Sequence, residues 1–339
     1  MSELMNRQIV LKSRPHGEPT TENFALVETA MRQPGEGEVL RRTIYLSLDP
    51  YMRGRMSDGP SYASPAALNE AMPGGTVSKV VYSRNPAFAE GDFVLGYDGW
   101  QEYGLSDGQE LRTLDPVLAP ISYALGVMGM PGMTAYFALL DIGKPKEGET
   151  VVVSAAAGAV GSIVGQIAKI KGCRAVGLAG TDEKCRVVTE DLGFDACINY
   201  KTQELDSALK QTCPNGIDIY YDNVAGPILA AVLGHINLGA RIPLVGLISQ
   251  YNATTPPIGP NLVALLIKRA QIRGFLVTDC MHRYAEFASE MGTWLRTRKL
   301  RYRESIVDGL ENSPTAFMGL FTGENTGKLL VRVSQDPTV

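Results

Sequence analysis

ETVVVSAAAGAVGSIVGQIAKIKGCRAVGLAGTDEKCR, residues 149–186, decides the fold. Residues 151–154 form a β-branched apolar run after a Gly-Glu turn, and such a run reads as a buried parallel strand. Next comes Ala156-x-Gly158-x-x-Gly161, a dinucleotide fingerprint with Ala in place of the first Gly. Gly158 lets the backbone approach a pyrophosphate, and Gly161 lets the following helix sit close to the strand. Residues 162–171 have helical spacing, with Val160, Ile163, Val164, Ile167 and Ile170 on one face, and Gly172 stops the helix. Residues 174–178 form a second strand. Strand, glycine turn, helix and strand together give the context that the motif alone lacks. The helix N-terminus, with Ala159 and Val160 leading into it, would hold a pyrophosphate through its N–H groups and dipole. The competing reading is a small-residue helix packed in an α/β core without a ligand.

The end of the second strand reports on the nucleotide. An NAD site wants Asp or Glu there for the ribose 2′-hydroxyl. Here the strand ends in Ala179-Gly180-Thr181. Gly180 leaves room for a 2′-phosphate, with Lys184 or Arg186 as the neutralising charge. Asp182 stays open as a ribose ligand, although it lies past the strand end, and residues 182–184 read equally as a solvated first helical turn. The balance favours NADP.

Outward from this stretch, 339 residues suggest about two domains. A hydrophobic fraction of 45%, a charged fraction of 20% and a formal net charge of −4 fit a globular enzyme with no general attraction to nucleic acid or an anionic membrane. No apolar run approaches the roughly 20 residues that cross a bilayer, and the N-terminal MSELMNRQIVLKSRP lacks the apolar core of a signal peptide. A cytoplasmic protein is expected. Cysteines at 173, 185, 197, 213 and 280 form no CxxC, which argues for free thiols. His16, His235 and His282 are scattered, the first expected in a loop and the others on helices, so a catalytic zinc has almost no candidate ligands.

Residues 7–126 alternate short apolar stretches with turn signals and read as a β-rich, barrel-like domain. Within them, Ser47-Leu48-Asp49-Pro50-Tyr51-Met52-Arg53-Gly54-Arg55-Met56 offers arginines and a tyrosine to line a cleft, or forms a solvated loop. Residues 57–73 read as a flexible loop, a lid carrying Tyr62. From residue 126 onward, strands and helices alternate: strands at 196–199, 217–222, 241–245 and 272–277, helices at 134–141, 205–212, 228–235 and 284–299. This implies α/β architecture with a doubly wound parallel sheet. The tail, with strands at 302–306 and 328–333, is expected to rejoin the N-terminal domain.

The stretches YLSLDPYMRGRMSD, GMPGMTAY, AAAGAVGSIVGQIAKIKG, GFDACINYK, GIDIYYDNVAG, GLISQYN, RGFLV and GENTGKLLV run in order over nearly the whole chain. Together they resemble zinc-independent medium-chain dehydrogenase/reductases, in the prostaglandin-reductase and alkenal double-bond reductase branch that includes bacterial NADPH-dependent curcumin reductases. The resemblance implies a GroES-like domain at residues 1–126 completed by 305–339, a Rossmann domain at 127–304, NADPH as cofactor and a homodimer. It implies that Met130, Pro131, Thr134, Asn223 and Asn325 meet the nicotinamide end, and that Phe275, Leu276 and Val277 hold its carboxamide. It assigns the 2′-phosphate to Lys184 and Tyr200, and puts Gly246, Ser249 and Tyr251 near the ribose and substrate. For Tyr200 and Tyr251, ordinary amphipathic packing is the competing reading.

The activity expected is reduction of the C=C bond of α,β-unsaturated ketones and aldehydes. The cofactor delivers hydride to the β-carbon, while the protein orients the alkene and stabilises charge on the carbonyl oxygen. Tyr251 is the candidate donor, with Tyr62 and Tyr51 in reserve. A quinone reductase of the same fold and a non-catalytic NADPH sensor are the alternatives.

Overall fold

The computed structural model of the protein describes residues 4–59 and 61–339. The first three residues of the N-terminal stretch and Pro60 of the lid segment lie outside the described residues. The chain splits into two compact units: Met1–Leu125 with Glu304–Asn325 and Leu329–Val339, and Gly126–Arg303 with Thr326–Lys328. Gly126 falls in the second unit because it packs within it: a Cβ there would stand 1.5 Å from the Tyr302 hydroxyl. Gly327 does likewise, donating its N–H to Ala157 O at 2.7 Å.

In the first unit, β1 (Met5–Leu11) and β2 (Phe24–Ala30) form an antiparallel pair. The main sheet comprises β3 (Val39–Ser47), β4 (Thr76–Ser83), β5 (Phe93–Gly96), β6 (Tyr103–Ser106) and β7 (Arg112–Leu114), joined by β14 (Glu304–Asp308) and β15 (Lys328–Arg332). Its order is β14-β15-β3-β4-β5-β7, with β6 also on β3. β3 is paired on both sides, which explains why nearly every residue in it is buried. The short α1 (Met52–Arg55) corrects the reading of the segment around it. Met52 and Met56 are fully buried, beside Trp100 and Phe317 in one apolar cluster. Arg53 lines no open surface; it is buried and donates to Gly17 O at 2.7 Å and Ser57 Oγ at 2.9 Å. The lid segment is likewise tied along much of its length. Arg14 donates to Met56 O and Ala66 O, Arg55 to Ser64 O, and Met72 N to Ile9 O.

The second unit opens with α2 (Met130–Phe137), which starts earlier than its apolar spacing suggests because Pro131 suits a first helical turn. A parallel sheet follows, built from β8 (Thr150–Val153), β9 (Arg174–Ala179), β10 (Ala196–Asn199), β11 (Ile217–Tyr221), β12 (Ile236–Leu244) and β13 (Gln271–Gly274). Its order is β10-β9-β8-β11-β12-β13. The crossovers are α3 (Gly161–Ile170), α4 (Asp182–Arg186), α5 (Leu205–Thr212), α6 (Gly226–Leu233) and α7 (Val263–Lys268), and α8 (Tyr284–Arg296) follows β13. α5 and α6 lay apolar faces on the sheet, and Val152, Val176, Ile198, Leu209, Tyr220, Val232 and Ile242 share one core. α6 ends at Leu233, so His235 sits in the turn before β12 rather than on a helix. β13 stops at Gly274, and Val277 opens a 3-10 turn instead of extending the strand. The tail returns through α9 (Ser313–Thr322), whose Phe317 and Leu320 enter the core of the first unit, before β15.

Candidate active site

The winding of the sheet fixes the place. From β8 the chain adds β9 and β10 on one side, then β11, β12 and β13 on the other, so β8 and β11 flank the switch point. In open α/β sheets, ligands bind outside the carboxyl ends of the strands at such a point. β8 and β11 run in register there, with Val153 opposite Tyr221.

β8 leads into the glycine turn. Ala155 adopts φ +49°, a left-handed conformation unusual for a side-chain-bearing residue and characteristic of functional turns. Ala156 is buried, and Gly158 N closes the turn onto Ala155 O at 2.9 Å. A Cβ on Gly161 would lie 2.3 Å from Ala155 O, so only glycine lets α3 approach β8. A Cβ on Gly158 would meet just one atom within 4 Å, Ala155 O at 3.1 Å, so the space where a side chain would stand is otherwise open. Ala159 and Val160 lead into α3, where Ser162 N donates to Gly158 O and Ile163 N to Val160 O, both at 3.0 Å, so that the turn itself orders the start of the helix. A pyrophosphate fits this cradle.

β11 delivers Asp222 and Asn223 beside the turn. Asn223 donates its backbone N–H to Ser154 Oγ and its side-chain amide to Ser154 O, both at 2.8 Å. Its amide N–H is thus engaged in tying the two strand ends together. Asp222 is fully buried. Its Oδ1 accepts from Tyr220, Ser154, Val224 N and Ala225 N, while Oδ2 has no partner among the described residues. Burial pushes this carboxyl above the usual range, against the pull of those hydrogen bonds. The sequence reading gave Asp222 no part. Its only signal was a carboxylate directly after a buried strand.

β12 brings Gly246, Ser249 and Tyr251 to the same edge. Gly246 N donates to Asp222 O at 3.2 Å, and a Cβ on Gly246 would press on Asn223 O at 3.0 Å. Ser249 Oγ donates to Val224 O at 2.6 Å. The Tyr251 hydroxyl accepts from Leu247 N at 3.4 Å, so its own proton stays a donor. Burial raises the Tyr251 pKa, which keeps the phenol neutral. From β13, Phe275 N donates to Leu244 O, and Leu276 and Val277 continue past the strand end. At the start of α2, Met130 and Pro131 lead to Thr134, whose hydroxyl donates to Met130 O at 2.7 Å and whose carbonyl accepts from Tyr221.

At the other end of the cradle, β9 and β10 run parallel with Asn199 opposite Ala179, so Gly180 and Tyr200 leave the sheet side by side. A Cβ on Gly180 would stand 3.0 Å from the Tyr200 hydroxyl and 3.3 Å from Lys201 Cε. Thr181 caps α4 by accepting from Lys184 N. Asp182 accepts from the Asn199 amide at 2.7 Å, a bond that ties down the one acidic candidate for a ribose contact.

Tyr51, Tyr62 and Asn325 belong to the first unit. Burial, reinforced by the Asp49 carboxylate, pushes the Tyr51 hydroxyl far above the ordinary tyrosine range. Tyr62 is 65% exposed. Asn325 lies in the loop between α9 and β15. Among the described residues, no three His, Cys, Asp or Glu side chains come close enough to share a metal ion.

A glycine turn at the switch point of a doubly wound sheet, with a separate β-rich unit, defines a Rossmann-type oxidoreductase. Residues 7–114 match the family profile described as the N-terminal domain of oxidoreductase, and residues 159–293 the one described as zinc-binding dehydrogenase. The NADPH-dependent curcumin reductase of Escherichia coli is 55% identical over 337 residues, 98% of each chain. The NADP(+)-dependent 2-alkenal reductase of Nicotiana tabacum is 42% identical, over 98% of this chain and 99% of its own. The crystal structure of CurA from Vibrio vulnificus in complex with NADPH superposes with a TM-score of 0.94 at 55% identity, over 97% of this chain and 100% of that one. The chain belongs to the medium-chain dehydrogenase/reductase family.

Proposed function

We propose that the protein uses NADPH to reduce the C=C bond of α,β-unsaturated ketones and aldehydes, among them alkenals and curcumin-like enones. The substrate class rests on full-length likeness to proteins named as curcumin and 2-alkenal reductases. One observation at the site carries the chemistry: a neutral, half-buried phenol, Tyr251, at the carboxyl edge of the sheet with its proton free to donate. NADPH, when bound, supplies the hydride for the β-carbon. Gly158 and the start of α3 take the pyrophosphate. Met130, Pro131, Thr134 and Asn223 meet the nicotinamide, and Phe275, Leu276 and Val277 its carboxamide. Gly180 gives way to a 2′-phosphate that Lys184 and Tyr200 hold, and Gly246 and Ser249 border the ribose.

Tyr251 then donates to the carbonyl oxygen as negative charge builds there, an interaction stronger in the transition state than in the bound enone. Tyr251→Phe keeps the ring and removes the donor. We expect kcat to fall about 10-fold, less than the ~100- to 1000-fold of a sole oxyanion donor because water and a ribose hydroxyl substitute in part. NADPH affinity should hold. Unchanged kcat, with a large fall in Tyr62→Phe or Tyr51→Phe, would move the donor role to that residue. A panel of enones, enals and quinones, followed by loss of NADPH absorbance, tests the reaction class. Faster turnover of quinones than of every enone and enal would make this a quinone reductase. Tight NADPH binding with none consumed would make it a sensor.

We also propose a homodimer. β13 closes one side of the sheet, and α7 beside it buries no residue, leaving Leu266 79% exposed with Leu262, Val263 and Ile267 similarly bare. An unpaired edge flanked by apolar side chains invites a second copy. Sedimentation equilibrium should give twice the chain mass, and Leu266→Glu should halve it; a wild-type protein of single-chain mass would end the idea. The five cysteines, all unbridged, suit a reducing cytoplasm.

A further inference from the structure

We propose that Lys201 is a second cation for the 2′-phosphate of NADPH, closing on it together with Lys184 and the Tyr200 hydroxyl across the bare face of Gly180. The inference rests on the NADPH reading above and adds a specificity-determining residue to it. Its geometry comes from two parallel strands ending level. Tyr200 N donates to Ala179 O at 3.1 Å, which carries the β10 end alongside Gly180. The next residue, Lys201, is held by its own N–H on Asn199 Oδ1 at 3.1 Å, and Asn199 in turn donates to Asp182. This chain of bonds sets the direction in which the Lys201 stem leaves the sheet. The stem passes 3.3 Å from the place a Gly180 Cβ would occupy, and the Tyr200 hydroxyl passes 3.0 Å from it. Two side chains therefore converge on one glycine, and a side chain at 180 would fill the space between them.

Lys184 lies on α4, the helix that follows Gly180. Its ammonium is disfavoured by burial and by the charge of Lys201, with Glu183 opposing. The two lysines are thus near enough to repel. Two like charges drawn together gain when an anion lies between them. A phosphate monoester near neutral pH carries a charge of about −1.5 to −2, enough to balance both. The ribose 2′-hydroxyl of NADH offers no such charge. Lys201 should therefore separate the two cofactors.

The test is direct binding, read by quenching of protein fluorescence or by calorimetry, with NADPH, 2′,5′-ADP and NADH as ligands. Lys201→Ala should weaken NADPH and 2′,5′-ADP about 10-fold, the lower end for a charge-assisted contact, and leave NADH within about twofold. Lys201→Arg should recover most of the loss. Lys184→Ala should show the same selectivity with a loss of roughly 10- to 100-fold. Equal weakening of NADPH and NADH in Lys201→Ala, or none of either, would overturn the inference. If Lys184→Ala is selective while Lys201→Ala is not, only the role of Lys201 falls. If the wild-type protein binds NADPH and NADH alike, the NADPH reading falls with it.

Discussion

Gly161→Ala is expected to lose NADPH binding and about 3 kcal/mol or more of stability, beyond the usual range for overpacking because the obstacle is backbone. The added methyl would lie 2.3 Å from Ala155 O, 2.9 Å from its carbonyl carbon and 3.0 Å from Ala156 Cα. None of these atoms is the end of a flexible side chain. Relief requires α3 to move off β8 or the turn at Ala155 to open, and that turn already holds φ +49°. Either movement spoils the alignment of first-turn N–H groups with a pyrophosphate. Gly158→Ala is the contrast. Its methyl would meet Ala155 O at 3.1 Å and nothing else within 4 Å, so the fold should lose no more than about 1 kcal/mol. NADPH affinity should nevertheless fall at least about 10-fold, because the methyl occupies the face turned to the ligand. Thermal melts and fluorescence quenching on both variants separate the two effects. Wild-type affinity in Gly158→Ala would take the pyrophosphate away from this turn.

That contrast also indicates what the sequence could and could not convey. Residues 149–186 were legible because each signal was local: a β-branched run, glycines at fixed offsets and apolar residues at helical spacing. The strands and α3 sit where those signals put them, and the likeness in fold extends over the whole chain. Segment 47–56 reads as a cleft lining or a solvated loop because its polar residues suit either, and neither reading foresees Arg53, whose burial is decided by a carbonyl at Gly17, distant in sequence. α7 left no periodic signal because only Ala264 and Leu265 pack against the core and none of its residues is fully buried. The end of β13 was placed too late because Phe275, Leu276 and Val277 look like strand, yet the ladder stops at Gly274. Lys201 looked like any lysine after a strand. Its interest comes from Gly180 on the neighbouring strand, a relation that exists only once β9 and β10 are paired.

Asp98→Ala is expected to cost the first unit about 3–5 kcal/mol, the range for removing one partner of a buried ion pair. Asp98 lies between β5 and β6, and its side chain and that of Arg41 on β3 are 5% and 2% exposed. The two groups form a paired contact, with Arg41 Nε donating to one carboxylate oxygen at 3.2 Å and Nη2 to the other. The hydroxyls of Thr76 and Ser78 on β4 also donate to Asp98, and Arg41 Nη1 donates to Val39 O and Ser106 Oγ. One carboxylate therefore joins β3 and β4. Gly104 on β6 makes room for it, since a Cβ there would lie 2.2 Å from the carboxylate. Alanine at 98 would leave a guanidinium out of water with its charge uncompensated, and two buried hydroxyls without their acceptor. Asp98→Asn keeps an acceptor and should cost less. Replacing both partners by apolar residues, Arg41→Met with Asp98→Leu, should recover much of the loss, because it removes the desolvated charge along with the pair. The two units need not melt together, so the readout must belong to the first. Trp100 is fully buried there, stacked on Phe24 with ring centroids 5.6 Å apart, and in a Trp294→Phe background, which removes the tryptophan of the second unit, its emission shift reports the transition. Below that transition, NADPH affinity should stay at the wild-type value, since the proposed pyrophosphate, 2′-phosphate and Tyr251 contacts all lie in the second unit. A loss under about 1 kcal/mol in Asp98→Ala would mean that water reaches Arg41 in solution and that β3 and β4 are held by their ladder alone.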